Sequence, residues 1–309
     1  MSYDLKEINI RTVRDPNEFC AECEDIYNSR ICEAVERIIA NMEKSPVVLL
    51  SGPSGSGKTT TARKISEELD RRGFYTHYVS LDDYFKTVGE GTPRTPEGDY
   101  DLESPLCLDM DLLNQHFQSL SEGKRIFVPH YEFARQMRSA DPSKSIKLKE
   151  KELCIFEGIH ALNDAITSVH PEAFRLYISA GSDVEFEGKT VFKRTWFRLV
   201  RRAVRDFNFR GYGVADTLAM WGNVRRGEKL YISPFKDTAD FQFDSSMMCE
   251  IPVLNSIATE LFCDIPEGID RFGELKEVLP ALQLFGRINE SNVPEDSLLR
   301  EFIGGGIYE

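Results

Sequence analysis

Apolar residues are distributed along the chain in two alternating patterns, short continuous runs and repeats at three- and four-residue steps. Continuous runs, which are typical of buried strands, lie at 47–50, 75–81, 126–129, 153–156 and 174–178. Segments with helical spacing lie at 58–72, 112–120 and 192–207. This alternation predicts parallel strands joined by crossover helices, so we expect an α/β fold of three layers with a mostly parallel central sheet.

Residues 1–45 precede the alternating pattern and are predicted to form an extra N-terminal helix. Asp15 and Pro16 make a helix start, with Asp15 as the N-cap and Pro16 at the first helical position. Apolar residues then recur at helical spacing, which indicates an amphipathic helix on the core, with a partner-binding helix as the alternative. Cys20 and Cys23 are three apart on this helix, and we interpret them as core residues rather than a metal or redox pair.

This pattern divides the chain into three parts. Residues 1–45 are the N-terminal helical extension, and residues 46–245 are the alternating core. Residues 246–309 are expected to extend that core with further strand and helix. No internal repeat is visible, so one α/β unit with additions is the simplest organisation.

Composition and charge narrow the class of protein. A hydrophobic content of 41% over 309 residues is enough for a core, and the net charge of −13 argues against a nucleic-acid partner. Seven scattered cysteines are typical of a reduced compartment. The first residues lack a signal peptide, and no apolar run approaches the roughly 20 residues of a membrane span. We therefore expect a soluble, cytoplasmic protein with no membrane partner.

The chemistry is concentrated first in the segment directly after the run at 47–50. Gly52, Gly57, Lys58 and Thr59 complete the pattern G-x-x-x-x-G-K-[ST] between a predicted strand and a predicted helix. In such a P-loop the backbone N–H groups surround phosphates, the lysine reaches the β- and γ-phosphates, and the hydroxyl ligates Mg²⁺. The predicted nucleotide-binding residues of the loop are Gly52, Pro53, Ser54, Gly55, Ser56, Gly57, Lys58, Thr59 and Thr60.

Two further strands end in acidic residues. Asp82 follows the run at 75–81, and Glu157 follows the run at 153–156. Ligands of open α/β sheets bind beyond the carboxyl ends of the strands, so both side chains are expected near the loop. Glu157 is a candidate Mg²⁺ ligand, directly or through water. The structural alternatives are a turn aspartate for Asp82 and a buried ion pair for Glu157.

The segment 192–207 is a third candidate because it is rich in arginine in an acidic chain. Arg198, Arg201 and Arg205 are spaced i, i+3 and i+7, so they share one helical face. Guanidinium groups suit phosphate oxygens and stabilise transition-state charge in kinases. A solvated helix face is the alternative, and Arg202 with Asp206 is expected to form an ordinary pair on a neighbouring face.

The chain lacks the N-K-x-D motif of GTPases and the L-S-G-G-Q-like signature of ABC ATPases. Over about residues 46–245 it resembles the uridine kinase and phosphoribulokinase family. The similar segments are 80–85 (SLDDYF), 100–101 (YD), 128–133 (VPHYEF), 156–160 (FEGIH) and 198–211 (RLVRRAVRDFNFRG). Residues 225–240 and 297–305 are similar to a bacterial branch described as uridine kinase-like nucleoside kinases.

The resemblance implies a P-loop NTPase fold with a helical lid at about 198–230. It implies Asp82 as the base that accepts the acceptor's proton, with Lys58, Arg201 and Arg205 as further catalytic residues. Arg201, Arg205 and Arg210 would close over the donor phosphates.

On the acceptor side the resemblance implies Asp101 for ribose hydroxyls and Tyr131 and Phe133 for the base. It also implies acceptor contacts for Asp82 and Tyr84, and a contact of Arg138 with the acceptor or with a phosphate. The family's base-reading histidine is replaced here by Gln136, which puts uracil and cytosine in doubt although an amide can still donate and accept.

These expectations describe a kinase that uses Mg²⁺ and ATP, with GTP also open, and phosphorylates a small-molecule alcohol. The 5′-hydroxyl of uridine or cytidine is the first acceptor to consider. The alternatives are a kinase of another sugar, polyol or phosphosugar, and a nucleotide-binding regulatory protein without efficient transfer. A homo-oligomer is an open possibility.

Overall fold

The computed structural model describes residues 2–263, 265, 268–269 and 273–308. Part of the predicted extension 246–309, at residues 264, 266–267, 270–272 and 309, lies outside the described residues. The strands are β1 (Ser2–Asp4), β2 (Val47–Ser51), β3 (Tyr75–Ser80), β4 (Ile126–Val128), β5 (Tyr131–Glu132), β6 (Met137–Arg138), β7 (Lys144–Ile146), β8 (Glu152–Glu157), β9 (Phe174–Ser179), β10 (Asp183–Phe186), β11 (Lys189–Phe192) and β12 (Phe241–Asp244). The helices are α1 (Leu5–Arg14), α2 (Pro16–Asn41), α3 (Lys58–Arg71), α4 (Met110–Ser121), α5 (Asp164–Thr167), α6 (Arg194–Phe209), α7 (Val214–Gly227), α8 (Glu250–Cys263), α9 (Glu274–Leu282) and α10 (Arg300–Ile303).

The central sheet has five strands in the order β12-β9-β2-β8-β3, and every neighbouring pair in it is parallel. The strand β2 lies in the middle, so the loop that follows it emerges between the ends of β8 and β9. The crossover helices lie on both faces, which confirms the expected three-layer α/β fold with a mostly parallel sheet.

The side chains of β2 are buried on both faces of the sheet. Its side chains alternate, so that Val48 and Leu50 belong to one apolar core and Val47 and Leu49 to the other. The first core contains apolar residues of α2, α3, α6 and α8, and the second contains those of α4. Because both faces are covered, β2 is apolar throughout rather than alternating.

The N-terminal helix forms as its start signal indicates. The Asp15 carboxylate accepts a hydrogen bond of 3.0 Å from the Glu18 backbone N–H, and Pro16 is the first residue of α2. Cys20 and Cys23 are 1% and 4% exposed, so both are core residues as expected.

One part of the fold was not predicted. The strand β1 pairs in parallel with β10, which forms a hairpin with β11. This hairpin spans residues 183–192, for which the sequence pattern predicts no strand. Strands of three or four residues are too short to show a hydrophobic period. In addition, β1 pairs with a strand about 180 positions later in the chain.

Shorter antiparallel pairs, β4 with β7 and β5 with β6, lie outside the central sheet. The second pair contains Tyr131 and Arg138, two of the residues expected on the acceptor side. Among the described helices, none combines the length and the apolar character that a membrane crossing demands.

Candidate active site

The predicted P-loop joins β2 to α3, and its backbone has the conformation that an anion site requires. Gly57 has φ of +80°, and a Cβ added there would lie 2.5 Å from Leu298 Cδ1, so this position needs glycine. As the N-cap of α3, Gly57 provides no side-chain hydrogen bond to the helix. The first N–H groups of α3 are therefore left for a phosphate.

Lys58 and Glu157 meet at the carboxyl edge of the sheet, as their positions after β2 and β8 predict. The Lys58 Nζ lies 3.8 Å from Glu157 Oε1, and the Tyr78 hydroxyl donates a 2.6 Å hydrogen bond to Glu157 Oε2. Glu157 is 8% exposed, while Thr59 at the start of α3 is exposed. A carboxylate and a hydroxyl at this position are oxygen donors of the kind that Mg²⁺ prefers. Together with water and phosphate oxygens they fit that ion.

Asp82 lies in the 3₁₀ turn Leu81–Tyr84 that follows β3. Its backbone N–H donates to Ser80 Oγ at 3.2 Å, which fixes the turn. Although the carboxylate is reached by water, partial desolvation in the cleft and the charge of Glu157 raise the pKa of Asp82 to about 6, against the opposing effect of Lys58. A carboxylate with that pKa is suited to accept a proton near neutral pH.

Arg198 and Arg202 of α6 donate hydrogen bonds to the P-loop. Arg198 Nε donates to Ser54 O at 3.0 Å, and Arg202 Nη1 donates to Ser54 Oγ at 2.8 Å. Arg202 also keeps its expected pair with Asp206, at 3.2 Å. The sequence predicts only the pair of Arg202 with Asp206 and gives no sign of its contact with the loop.

Arg201, which is predicted to close over the donor phosphates, has its partners inside the protein in this structure. Its side chain is fully buried and pairs with both carboxylate oxygens of Glu250, at 2.5 and 2.6 Å. Its remaining N–H groups donate to Ser245 and to the Gly55 carbonyl oxygen. A guanidinium with these partners supports the loop backbone and has no free face for donor phosphates.

Arg205 and Arg210, at the end of α6, remain near the open side of the loop. Both lie about 3.3 to 3.4 Å from Asp206 Oδ1, and Arg205 Nη1 also lies 3.9 Å from Glu301 Oε1. Glu301 in turn accepts a 2.6 Å hydrogen bond from the Thr60 hydroxyl. The C-terminal segment therefore closes against the loop, a contact that no local sequence pattern indicated.

A cavity of about 350 Å³ opens between this segment and the loop. Its lining is polar and aromatic, with Thr59, Thr60, Arg205, Arg210, Arg300 and Tyr308. The cavity adjoins the predicted phosphate site directly, because Thr59 and Thr60 form the first turn of α3.

On the acceptor side, three residues predicted to contact the acceptor have partners within the protein. Tyr84 is fully buried, with its hydroxyl 2.8 Å from His116 Nδ1. Asp101 is 4% exposed, and Arg226 and Tyr231 bond its two carboxylate oxygens at 2.8 and 3.0 Å. Arg138 donates to Asp109 and to Tyr84 O, both at 2.8 Å. All three side chains have partners within the protein, although Arg138 Nε is buried without a hydrogen-bond partner among the described residues.

Tyr131 and Phe133 are brought together as expected, with ring centres 5.1 Å apart. Phe85 completes the group at 5.6 Å from Tyr131. The sequence analysis did not select Phe85 as a site residue, because Phe85 directly follows Tyr84, which is buried, in the same tight turn. Gln136 has φ of 51°, and its side chain is exposed next to this group. An aromatic surface and an amide are thus present, with Phe133 61% exposed.

Glu103, which sequence reasoning missed, is half-buried and lies within electrostatic range of the P-loop lysine. Burial raises the pKa of Glu103, while the charges of Arg202 and Lys58 favour its ionised form and those of Asp101 and Asp82 oppose it. Glu103 therefore lies near the loop lysine and the candidate base. The alternating acidic residues in 99–103 indicated a carboxylate at this site. The same pattern also fitted Asp101, whose carboxylate pairs with Arg226 instead.

Uridine kinases from several organisms are similar to about two thirds of the chain. The uridine kinase of Macrococcus caseolyticus (strain JCSC5402) is 29% identical over 201 residues, which cover 64% of this chain and 87% of that protein. The uridine kinase of Saccharomyces cerevisiae is 29% identical over 196 residues, which cover 63% of this chain but only 36% of the yeast protein.

Solved structures with similar folds include a possible uridine kinase from Bacillus stearothermophilus. It has 18% identity and a TM-score of 0.44, and the match covers 70% of this chain and 98% of that one. A D-glycerate 3-kinase from Cryptococcus neoformans has 14% identity and a TM-score of 0.42, with 69% and 89% covered.

The family model that matches is that of the phosphoribulokinase / uridine kinase family, over residues 47–251. This range begins with the first residue of β2 and ends inside α8, so it includes the loop, Asp82, Glu157 and all of α6. The chain belongs to the phosphoribulokinase / uridine kinase family, whose members are phosphotransferases that act on a hydroxyl group.

Proposed function

We propose that this protein is an ATP-dependent kinase that transfers the γ-phosphate to a primary hydroxyl, most simply the 5′-hydroxyl of uridine or cytidine. The observation that carries the proposal is the meeting of Lys58, Glu157 and Asp82 at one edge of the sheet. A phosphate-binding lysine, a metal-type carboxylate and a base of raised pKa are the parts that phosphoryl transfer needs.

In the proposed reaction Asp82 accepts the proton of the acceptor hydroxyl. The hydroxyl oxygen then forms a bond to the γ-phosphorus, and the bond from that phosphorus to the bridging oxygen breaks to release ADP. Lys58 and the N–H groups of α3 stabilise the charge on the phosphate oxygens. Glu157 and Thr59 would hold Mg²⁺, which supplies further positive charge beside those oxygens.

The donor base is proposed to occupy the cavity of about 350 Å³ beside Thr59 and Thr60. Tyr308 offers a ring, and Arg205 and Arg210 offer planar guanidinium groups, all of which can stack on a purine. The cavity volume lies within the ~300–1,000 Å³ of small-molecule sites.

For the acceptor, Glu103 takes the role first expected of Asp101, because its carboxylate lies within electrostatic range of the P-loop lysine. A carboxylate can accept hydrogen bonds from two vicinal hydroxyls. The ring group of Phe85, Tyr131 and Phe133 offers a stacking surface for a base.

A second candidate is a kinase of another sugar, polyol or phosphosugar. The observation that favours it is Gln136, whose side chain is exposed in a place where the family's histidine reads the base. A regulatory protein that only binds the nucleotide is less consistent with Asp82, since sensing needs no base beside the γ-phosphate.

The test is ATP consumption by the purified protein with Mg²⁺, against a panel of nucleosides, pentoses, polyols and phosphosugars. Turnover with uridine or cytidine supports the first proposal, and turnover with a sugar or polyol alone supports the second. Asp82→Asn should keep ATP binding and lower transfer by at least ~10²-fold. Lys58→Ala should weaken transfer to every acceptor. Full activity of Asp82→Asn would remove the proposed base.

A further inference from the structure

A second cavity, of about 780 Å³, has a lining that does not include Lys58 or Asp82. It is bounded by the end of β9, the first turns of α6, α7 and the turns after α7. Part of the predicted lid at 198–230, including Arg198 and Arg225, lines it, whereas none of the predicted P-loop residues does. Its volume is in the upper part of the ~300–1,000 Å³ range of small-molecule sites.

Its lining carries an unusual charge for this chain. Six basic and four acidic side chains line the cavity, so it has a local positive surplus although the whole protein has a net charge of −13. The basic residues are Arg194, Arg198, Arg225, Arg226, Lys229 and Lys236.

Several of these cations are already paired, and two are not. Arg225 is bound to Glu228, and Arg226 lies 2.8 Å from Asp101. Lys229 and Lys236 are exposed, and among the described carboxylates neither has an ion-pair partner. Two unpaired ammonium groups facing one cavity are a phosphate-binding feature.

The acidic residues of the lining indicate which chemical groups the other end of a ligand carries. Glu97 and Asp99 line the cavity from the loop before Asp101 and are exposed. Ionised carboxylates only accept hydrogen bonds, so they match hydroxyl groups. A molecule with both a phosphate and vicinal hydroxyls would satisfy both ends.

This cavity is joined to the P-loop by one side chain. Arg198 lines it, pairs with Glu228 at 2.6 Å and donates to Ser54 O at 3.0 Å. The Nη2 atom of Arg198 is buried and has no partner among the described residues. A ligand that attracts this guanidinium changes the support of the loop.

We propose that this cavity is a second binding site, for a sugar phosphate or nucleoside monophosphate, linked to the P-loop through Arg198. The phosphate pairs with Lys229 and Lys236, and the sugar hydroxyls donate to Glu97 and Asp99. The proposal does not depend on which alcohol the kinase site accepts.

The test is calorimetric titration of the full chain with ribose 5-phosphate. Binding is expected for the wild type, with affinity at least about tenfold lower in Lys229→Met/Lys236→Met, because two charge-assisted contacts are lost. The matched control is Lys124→Met/Lys149→Met, which removes two exposed lysines that do not line the cavity and should bind as wild type. Lys58→Ala should also keep the binding.

Two further measurements locate the ligand. Trp221 donates to Glu274, which lines the cavity, and the Arg198 guanidinium lies 5.7 Å from its ring centre, so indole emission should change on binding. Binding that persists in the double lysine variant but disappears in Glu103→Gln places the ligand in the acceptor cleft and overturns the proposal. Absence of binding for ribose 5-phosphate and for all four 5′-ribonucleoside monophosphates at millimolar concentration also overturns it.

Discussion

The buried pair of Arg201 and Glu250 provides the sharpest test, because sequence and structure assign Arg201 different roles. In the predicted lid, Arg201 binds donor phosphate, so its loss removes activity and leaves stability almost unchanged. In the structure both side chains are fully buried, and Arg201 holds Glu250, Ser245 and Gly55 together. Arg201→Met should therefore destabilise the whole fold.

The magnitude follows from the unpaired carboxylate that remains. Breaking one side of a buried ion pair costs about 3–5 kcal/mol. An unfolding entropy of about 2.1 cal/mol/K per residue over the 309 residues converts this cost into a fall in Tm of about 5–8 °C. Burial already raises the pKa of Glu250, and loss of the arginine raises it further, so Glu250 takes up a proton.

The assay is thermal unfolding followed by circular dichroism, with ATP affinity measured on the same samples. Arg205→Met is the matched control, since Arg205 lies on the same helix but is only partly buried; it should weaken ATP binding and change Tm little. Arg201→Met/Glu250→Met should recover much of the lost stability, because no unpaired charge remains. An unchanged Tm in Arg201→Met with ATP binding abolished would falsify the structural role.

Three further outcomes are expected from the site. The kcat/KM should fall as pH decreases through about 6, because Asp82 must be unprotonated to act as base. Asp83→Asn removes a charge that raises the pKa of Asp82, so the acidic limb of the pH profile should move to lower pH. An unmoved limb would exclude Asp82 as the titrating group. Glu103→Gln should raise the KM of the acceptor at least about tenfold with the KM of ATP unchanged; the opposite split would place Glu103 on the donor side. Glu301→Gln should raise the KM of ATP by about three- to tenfold and leave the acceptor KM unchanged, because it weakens the contacts to Thr60 and Arg205.

The strands, the loop and the acidic strand ends were predictable because each depends on residues that are close in sequence. Four apolar residues identify β2, and the following eight identify the loop. The rule that ligands lie at carboxyl ends of parallel strands then brought Asp82 and Glu157 to Lys58 without knowledge of contacts.

The roles of individual charged residues were less predictable, since they depend on which partner lies opposite in space. Helical spacing placed Arg201 on a face with Arg205, but could not show that Arg201 pairs with Glu250 while Arg205 lies beside Asp206 and Glu301. Likewise, two carboxylates two positions apart, Asp101 and Glu103, have indistinguishable local patterns. Only the position of Arg226 and Tyr231 shows that Asp101 is already satisfied.

The contact between Thr60 and Glu301 has a consequence for how the site is made during synthesis. The two residues are 241 positions apart, so the P-loop leaves the ribosome long before the segment that covers it. The entropy of closing such a long loop must be overcome before the contact forms, so it belongs to a late step of folding. A nascent chain can thus complete its parallel sheet while Glu301 and Tyr308, which line the proposed donor cavity, are not yet in place.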